Sequence, residues 1–129
     1  LMTCRFLDKN GADVLDYGMA AFFAAPRSFT GEDVAELYIH SSPAIIAAMY
    51  RRLADLPHLR LAERGEFTQR AFLNGKVDLT QVEGQADVLA AESEEQRKLA
   101  VRQLGGSLGT AFSAWRHQII QCLAMLEAW

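Results

Sequence analysis

Hydrophobic spacing changes character near Glu66, and that change limits the folds open to this chain. Upstream of it, strand-like alternation of apolar and polar residues surrounds one helical stretch. Downstream, apolar residues recur three and four apart as far as the sequence runs. A period of two sends successive side chains to opposite faces of a strand, and a period near 3.6 lines one face of a helix. The expected fold class is therefore α+β: a small mixed or antiparallel sheet with packed helices, followed by a helical segment that starts a helical-bundle domain.

Thr3 to Leu7 and Val14 to Ala24 read as the two strands of an antiparallel hairpin, joined through Asp8-Lys9-Asn10-Gly11-Ala12-Asp13. Asn-Gly tolerates positive φ at both centres of a tight hairpin turn. In the second strand Leu15, Tyr17, Met19, Ala21 and Phe23 share one face while Asp16, Gly18, Ala20 and Phe22 share the other, so one side is core. After Pro26 to Gly31 a third strand runs from Val34 to His40, with Val34, Glu36, Tyr38 and His40 on one unusually polar face. Ser42 is a suitable N-cap with Pro43 at the first helical position, and Ile45, Ile46, Met49, Tyr50 and Leu53 follow at helical spacing up to Pro57. Leu59 and Leu61 predict a further short strand.

From Phe67 to Leu73 a short helix is expected, ended by Asn74-Gly75. Thr80-Gln81-Val82-Glu83 and Ser93-Glu94-Glu95-Gln96 each fit a capping box. The second of these helices stops at Gly105-Gly106. The last one presents Leu108, Phe112, Trp115, Ile119, Leu123 and Leu126 as a stripe too regular to be solvated, so further helices or a second subunit are expected to cover it. Leu1 precedes Met2, and Leu126 to Trp129 stop inside a helix without a cap; both ends are expected to be cut from a longer protein.

A formal net charge of −3 and a pI near 5.6 supply no basic footprint for gripping RNA phosphates. Cys4 and Cys122 form neither a C-x-x-C pair nor a disulfide framework, which favours free thiols in a reducing, cytoplasmic setting. No apolar run approaches the ~20 residues of a membrane span, and no signal-peptide stretch opens the chain. Glu32, Asp33, Glu36 and His40 do not make a metal site: no second histidine follows at ligand spacing, and no calcium-loop signature is present. His40, His58 and His117 read as structural or solvated.

Two stretches are more specific than any short motif. They are Ser28-Phe29-Thr30-Gly31-Glu32-Asp33-Val34-Ala35-Glu36-Leu37 and Gly65-Glu66-Phe67-Thr68-Gln69-Arg70-Ala71-Phe72-Leu73-Asn74-Gly75-Lys76-Val77-Asp78-Leu79-Thr80-Gln81. They resemble the tRNA-modification GTPases of the MnmE (TrmE) family, and the likeness runs on through Glu83, Ala86-Asp87 and Ala90-Ala91-Glu92 into Gln103-Leu104-Gly105-Gly106. The resemblance implies an N-terminal domain, here residues 1–75, that binds a tetrahydrofolate and dimerises. It implies a helical domain beginning at residues 76–129, with a GTPase domain inserted further on. GTP, Mg2+ and K+ would belong to that absent domain. No G-x-x-x-x-G-K-[ST] loop occurs in this chain, so the segment itself is not expected to hydrolyse GTP. The implied partners are a second copy of the chain, the flavoprotein MnmG and tRNA, whose wobble uridine receives an aminomethyl-type group built with a folate one-carbon unit.

Carried over by position, Glu36 takes the place of the glutamate that contacts folate. A carboxylate suits a pterin edge, which offers a ring N–H beside an amino group. Lys76, just past the Asn74-Gly75 cap, would meet a carboxylate or carbonyl of the folate tail, with Arg70 as a helper for the glutamate tail. The chain departs from the family where His40-Ser41-Ser42 replaces a common His-Gly-Gly and Arg64-Gly65 replaces Pro-Gly. The resemblance implies that an arginine of the family's first strands, also a folate contact, is expected to precede Leu1. A module that only assembles subunits and docks MnmG, its folate pocket degenerate, is the alternative; a free-standing folate-dependent methyltransferase is a third.

Overall fold

A computed structural model describes residues 1–128; Trp129, the last residue of the end expected to stop inside a helix without a cap, lies outside the described residues. The chain divides into two compact units, Leu1–Arg70 and Ala71–Trp129. The first unit is built on a three-stranded antiparallel sheet of order β1-β2-β3, with β1 at Met2–Leu7, β2 at Val14–Phe23 and β3 at Val34–Tyr38. Helix α1 spans Pro43–Ala54, and α2, at Glu66–Leu73, runs across the division. The second unit carries α3 (Leu79–Ala90), α4 (Glu94–Leu104) and α5 (Ser107–Glu127). This is the α+β sheet unit followed by helices that the change of periodicity predicts.

The β1–β2 connection is not the two-residue turn expected of Asn-Gly. Within the dipeptide only Gly11 takes positive φ, at 71°. The loop is organised by Asp8, whose carbonyl accepts Gly11 N–H at 3.2 Å and whose Oδ1 accepts Ala12 N–H at 2.8 Å and Asp13 N–H at 3.2 Å. An aspartate that bonds its own downstream backbone competes well with a tight hairpin turn. The pairing shifts register between Phe6 and Leu7, next to this loop.

Which side of the sheet is covered also differs from the apolar pattern. Cross-strand pairing puts Tyr17, Met19, Ala21 and Phe23 on one face with Val34, Glu36 and Tyr38, and leaves Phe6, Asp16, Gly18 and Leu37 on the other. Helix α1 packs on the second of these. Its buried Met49 and half-buried Leu53 border a groove with Phe6 and Leu37. Asp16 is buried there, whereas Tyr17 is 62% and Met19 42% exposed. The chain leaving β3 causes this choice by folding over the sheet at Gly18. A Cβ built on Gly18 would lie 2.1 Å from the Tyr38 carbonyl oxygen and 3.0 Å from the Phe6 ring, so only glycine lets the crossover lie so close.

β3 therefore stops at Tyr38, and His40 does not continue its face. Ser42 sits at the N-cap of α1 in extended conformation, but its hydroxyl makes no capping bond. Pro43 fills the first position, where no N–H is needed. The expected strand at Leu59 and Leu61 does not form; both side chains are exposed and no neighbouring strand offers a ladder among the described residues. An isolated extended segment has no partner for its backbone groups, so alternation alone does not make a strand.

In the second unit Ser93 caps α4 as expected, accepting Gln96 N–H while the Gln96 amide returns to the cap. The box at the start of α3 is displaced: Asp78, not Thr80, is the N-cap, and Gln81, not Glu83, closes it. Aspartate caps at least as well as threonine, and Thr80 reinforces it by donating to Asp78 Oδ1 at 2.7 Å. α3 and α4 pack closely through Gly84, where a Cβ would lie 2.6 Å from the Leu104 backbone nitrogen. Two amides bridge them, Gln81 Nε2 to Leu104 O at 3.0 Å and Gln103 Nε2 to Thr80 O at 3.2 Å. Ala100 of α4 is buried. On α5 the rings of Phe112 and Trp115 meet at 5.7 Å, yet Trp115, Ile119, Leu123 and Leu126 are all exposed. No helix among the described residues is long and apolar enough to cross a membrane.

Candidate functional site

Glu36 stands in the middle of β3 on the open sheet face, opposite Ala21. Two residues on, Tyr38 shares that face, and its hydroxyl donates to Glu36 Oε2. The bonded carboxylate pushes the Tyr38 hydroxyl above its ordinary pKa. Among the described residues Glu36 Oε1 has no hydrogen-bond partner, so the carboxylate presents an unused edge to the outside. Beside Tyr38 lies a groove of about 440 Å³ lined by Thr3, Tyr17, Gly18, Met19, Tyr38, Ile39 and His40. The open face thus joins one accessible carboxylate to exposed aromatic and thioether surface.

Arg70 lies elsewhere in the same unit. It donates to Glu66 Oε1 at 2.7 Å and to Glu32 Oε2 at 2.8 Å, and Glu66 also receives Arg60 at 2.7 and 2.8 Å and Glu63 N–H at 2.8 Å. Arg60, then Arg70, hold the Glu66 carboxyl far below the usual range, and both guanidinium groups are held more firmly protonated in return. These groups line a second groove of about 410 Å³ with Asp33. With two cations facing three carboxylates, both guanidinium groups are already paired within the protein. Glu36 does not border this groove, and no hydrogen bond or ion pair joins it to Arg70 among the described residues. Lys76 follows Gly75 in the second unit, with its backbone N–H bonded to Ala71 O at 2.8 Å.

Each member of the acidic group around β3 has its own partner. Glu32 meets Arg70, Asp33 accepts Ala25 N–H at 2.8 Å, Glu36 meets Tyr38, and His40 reaches back to Asp16. No group of three potential metal ligands occurs among the described residues.

Comparison with known proteins bears on the same residues. A family model described as the N-terminus of the GTP-binding protein TrmE matches residues 1–76, and one described as the MnmE helical domain matches residues 79–129. The chain belongs to the TrmE/MnmE family. It is 57% identical over 127 residues to a tRNA modification GTPase MnmE of Parvibaculum lavamentivorans, covering 98% of this chain and 29% of that protein. It is 53% identical over 124 residues to a tRNA modification GTPase MnmE of Rhodopseudomonas palustris, covering 96% and 27%. A relative from Danio rerio, the mitochondrial 5-taurinomethyluridine-[tRNA] synthase subunit GTPB3, is 51% identical over 116 residues, covering 90% and 23%. The chain therefore spans less than a third of these relatives.

Glu36, Arg70 and Lys76 all fall inside the stretch matched by the TrmE N-terminal model. Sequence reasoning passed over Tyr38 as a partner of Glu36, although their i, i+2 spacing on a strand was the available signal. It also passed over Asp16, whose role needed the crossover after β3, and Arg60, whose reach to Glu66 depends on an irregular segment.

Proposed function

We propose that this chain is the folate-binding and dimerising part of a GTPase that, together with MnmG, modifies the wobble uridine of tRNA in the cytoplasm. The observation that carries the folate reading is the Glu36 carboxylate: exposed, fixed at one oxygen and unused at the other. A pterin edge presents a ring N–H and an amino group side by side, and a carboxylate meets both with two charge-assisted hydrogen bonds. The flat heteroaromatic ring also needs apolar surface, which Tyr17, Met19 and Tyr38 offer on the same face. When bound, the tetrahydrofolate supplies a one-carbon unit. Lys76 is assigned to the tail of the folate; Arg70 would assist there by exchanging part of its hold on Glu32 or Glu66 for the tail carboxylate. GTP, Mg2+ and K+ are assigned to the portion of the protein beyond this chain.

The test is calorimetric titration of the full-length protein with 5-formyltetrahydrofolate. Glu36→Ala is expected to weaken binding about a hundredfold, the equivalent of two charge-assisted bonds. Equal affinity of the two proteins removes Glu36 from the site. The exposed α5 stripe favours a second reading, a purely structural dimerisation and docking module with a degenerate folate pocket. Under that reading the wild-type protein itself shows no folate binding.

A further inference from the structure

Resting on the reading of Glu36 as the pterin-binding carboxylate, we propose that Tyr38 is the positioning residue of the site, holding that carboxylate in the one orientation that meets the ligand edge. A glutamate on an open strand has three rotatable bonds and no packing to choose among their wells. Two parallel donors need the carboxylate plane fixed before they arrive, and disorder there is lost as affinity. Tyr38 supplies the constraint. It stands two residues from Glu36 on the same face, and a ring on two χ angles carries its hydroxyl to Oε2.

A carboxylate has about four acceptor positions, so the single bond from Tyr38 leaves both lone pairs of Oε1 and one of Oε2 for a ligand. Arginine or lysine in this role would occupy the carboxylate as an ion pair, as Arg60 and Arg70 occupy Glu66. A neutral phenol fixes the group without neutralising it. Tyr38 also borders the groove with Tyr17 and Met19, so one residue orients the polar contact and walls the apolar one.

The experiment is a double-mutant cycle on the full-length protein, with 5-formyltetrahydrofolate as the probe. Tyr38→Phe is expected to weaken binding about tenfold, the loss of one charge-assisted bond, and to leave the thermal midpoint unchanged because only an exposed hydroxyl is removed. In a Glu36→Ala background the same change is expected to have no further effect, since Tyr38 acts through Glu36. Wild-type affinity of Tyr38→Phe, with Glu36→Ala still impaired, overturns the role of Tyr38 and leaves the folate reading standing. A tenfold loss that persists without Glu36 also overturns it, because the Tyr38 hydroxyl would then bond the ligand directly instead of acting through Glu36. Unimpaired binding by Glu36→Ala overturns the folate reading itself.

Discussion

The carboxylate of Asp16 takes hold of His40 twice, accepting its backbone N–H at 2.8 Å and its imidazole Nδ1 at 2.9 Å. Asp16 lies on the covered face of β2, and His40 is the second residue past the end of β3, so this pair ties the β3–α1 crossover down onto the sheet. The bond fixes Nδ1–H as the donor whenever the ring is neutral. It leaves the imidazole, 74% exposed, oriented but not enclosed.

The pair sets a pH dependence. Hydrogen bonding from the His40 backbone, foremost, holds the Asp16 carboxyl below its ordinary value of about 4, against the opposing effect of burial. The unfolded chain then binds more protons than the folded one just below pH 4, so stability rises with pH there. The Asp16 contribution is complete above about pH 4 and is lost as pH falls through the lowered folded value. Asp16→Asn is expected to flatten the acid limb of the stability curve, as measured by urea midpoints between about pH 2 and 6; an unchanged limb would show that other carboxylates carry it.

Gly18→Ala forces a methyl group against the Tyr38 carbonyl at 2.1 Å. Backbone cannot yield as a flexible side chain does, so a loss of about 3 kcal/mol is expected, at the upper end of ordinary overpacking. Chemical denaturation of this variant beside Ala20→Gly, which removes a methyl from the same strand, separates the clash from a general strand effect.

In the helical unit Gly84→Ala meets the Leu104 backbone nitrogen at 2.6 Å and is expected to cost about 2 kcal/mol. Removal of the cap in Ser93→Ala is expected to cost about 1 kcal/mol. Similar values for both in urea titrations would mean that the helices shift apart to admit the methyl group.

Arg70→Gln breaks an ion pair to Glu32 in which both side chains are nearly half exposed, at 45% and 44%, and one to Glu66, whose side chain is 11% exposed. Salt screens such pairs. The fall in thermal midpoint is expected to be a few degrees at low ionic strength and to shrink in about 0.5 M salt; a salt-independent loss would point to packing by the side-chain stem instead.

The α5 stripe of Trp115, Ile119, Leu123 and Leu126 is expected to make the chain self-associate at high concentration. Replacing Ile119 and Leu123 with glutamate is expected to shift light-scattering mass toward the monomer. A monomer in both forms would show that the stripe requires the rest of the protein as its partner.

Periodicity and local chemistry were enough to locate β1, β2, α1, α2 and the Ser93-capped α4, because those signals act within a few residues along the chain. The motif around Glu36 and the one running from Gly65 to Gln81 likewise identified the family without coordinates. Tertiary structure alone decided which sheet face is covered, since both faces of β2 hold apolar residues and the choice turns on a crossover that Gly18 admits and Asp16 fastens. It decided that Leu59 and Leu61 form no strand, for a ladder needs a neighbour that alternation cannot reveal. It also decided the partners of Glu36 and Arg70: a phenol for one and two carboxylates for the other. Local pattern follows from bonds between near residues, whereas burial and pairing depend on what the folded chain brings alongside.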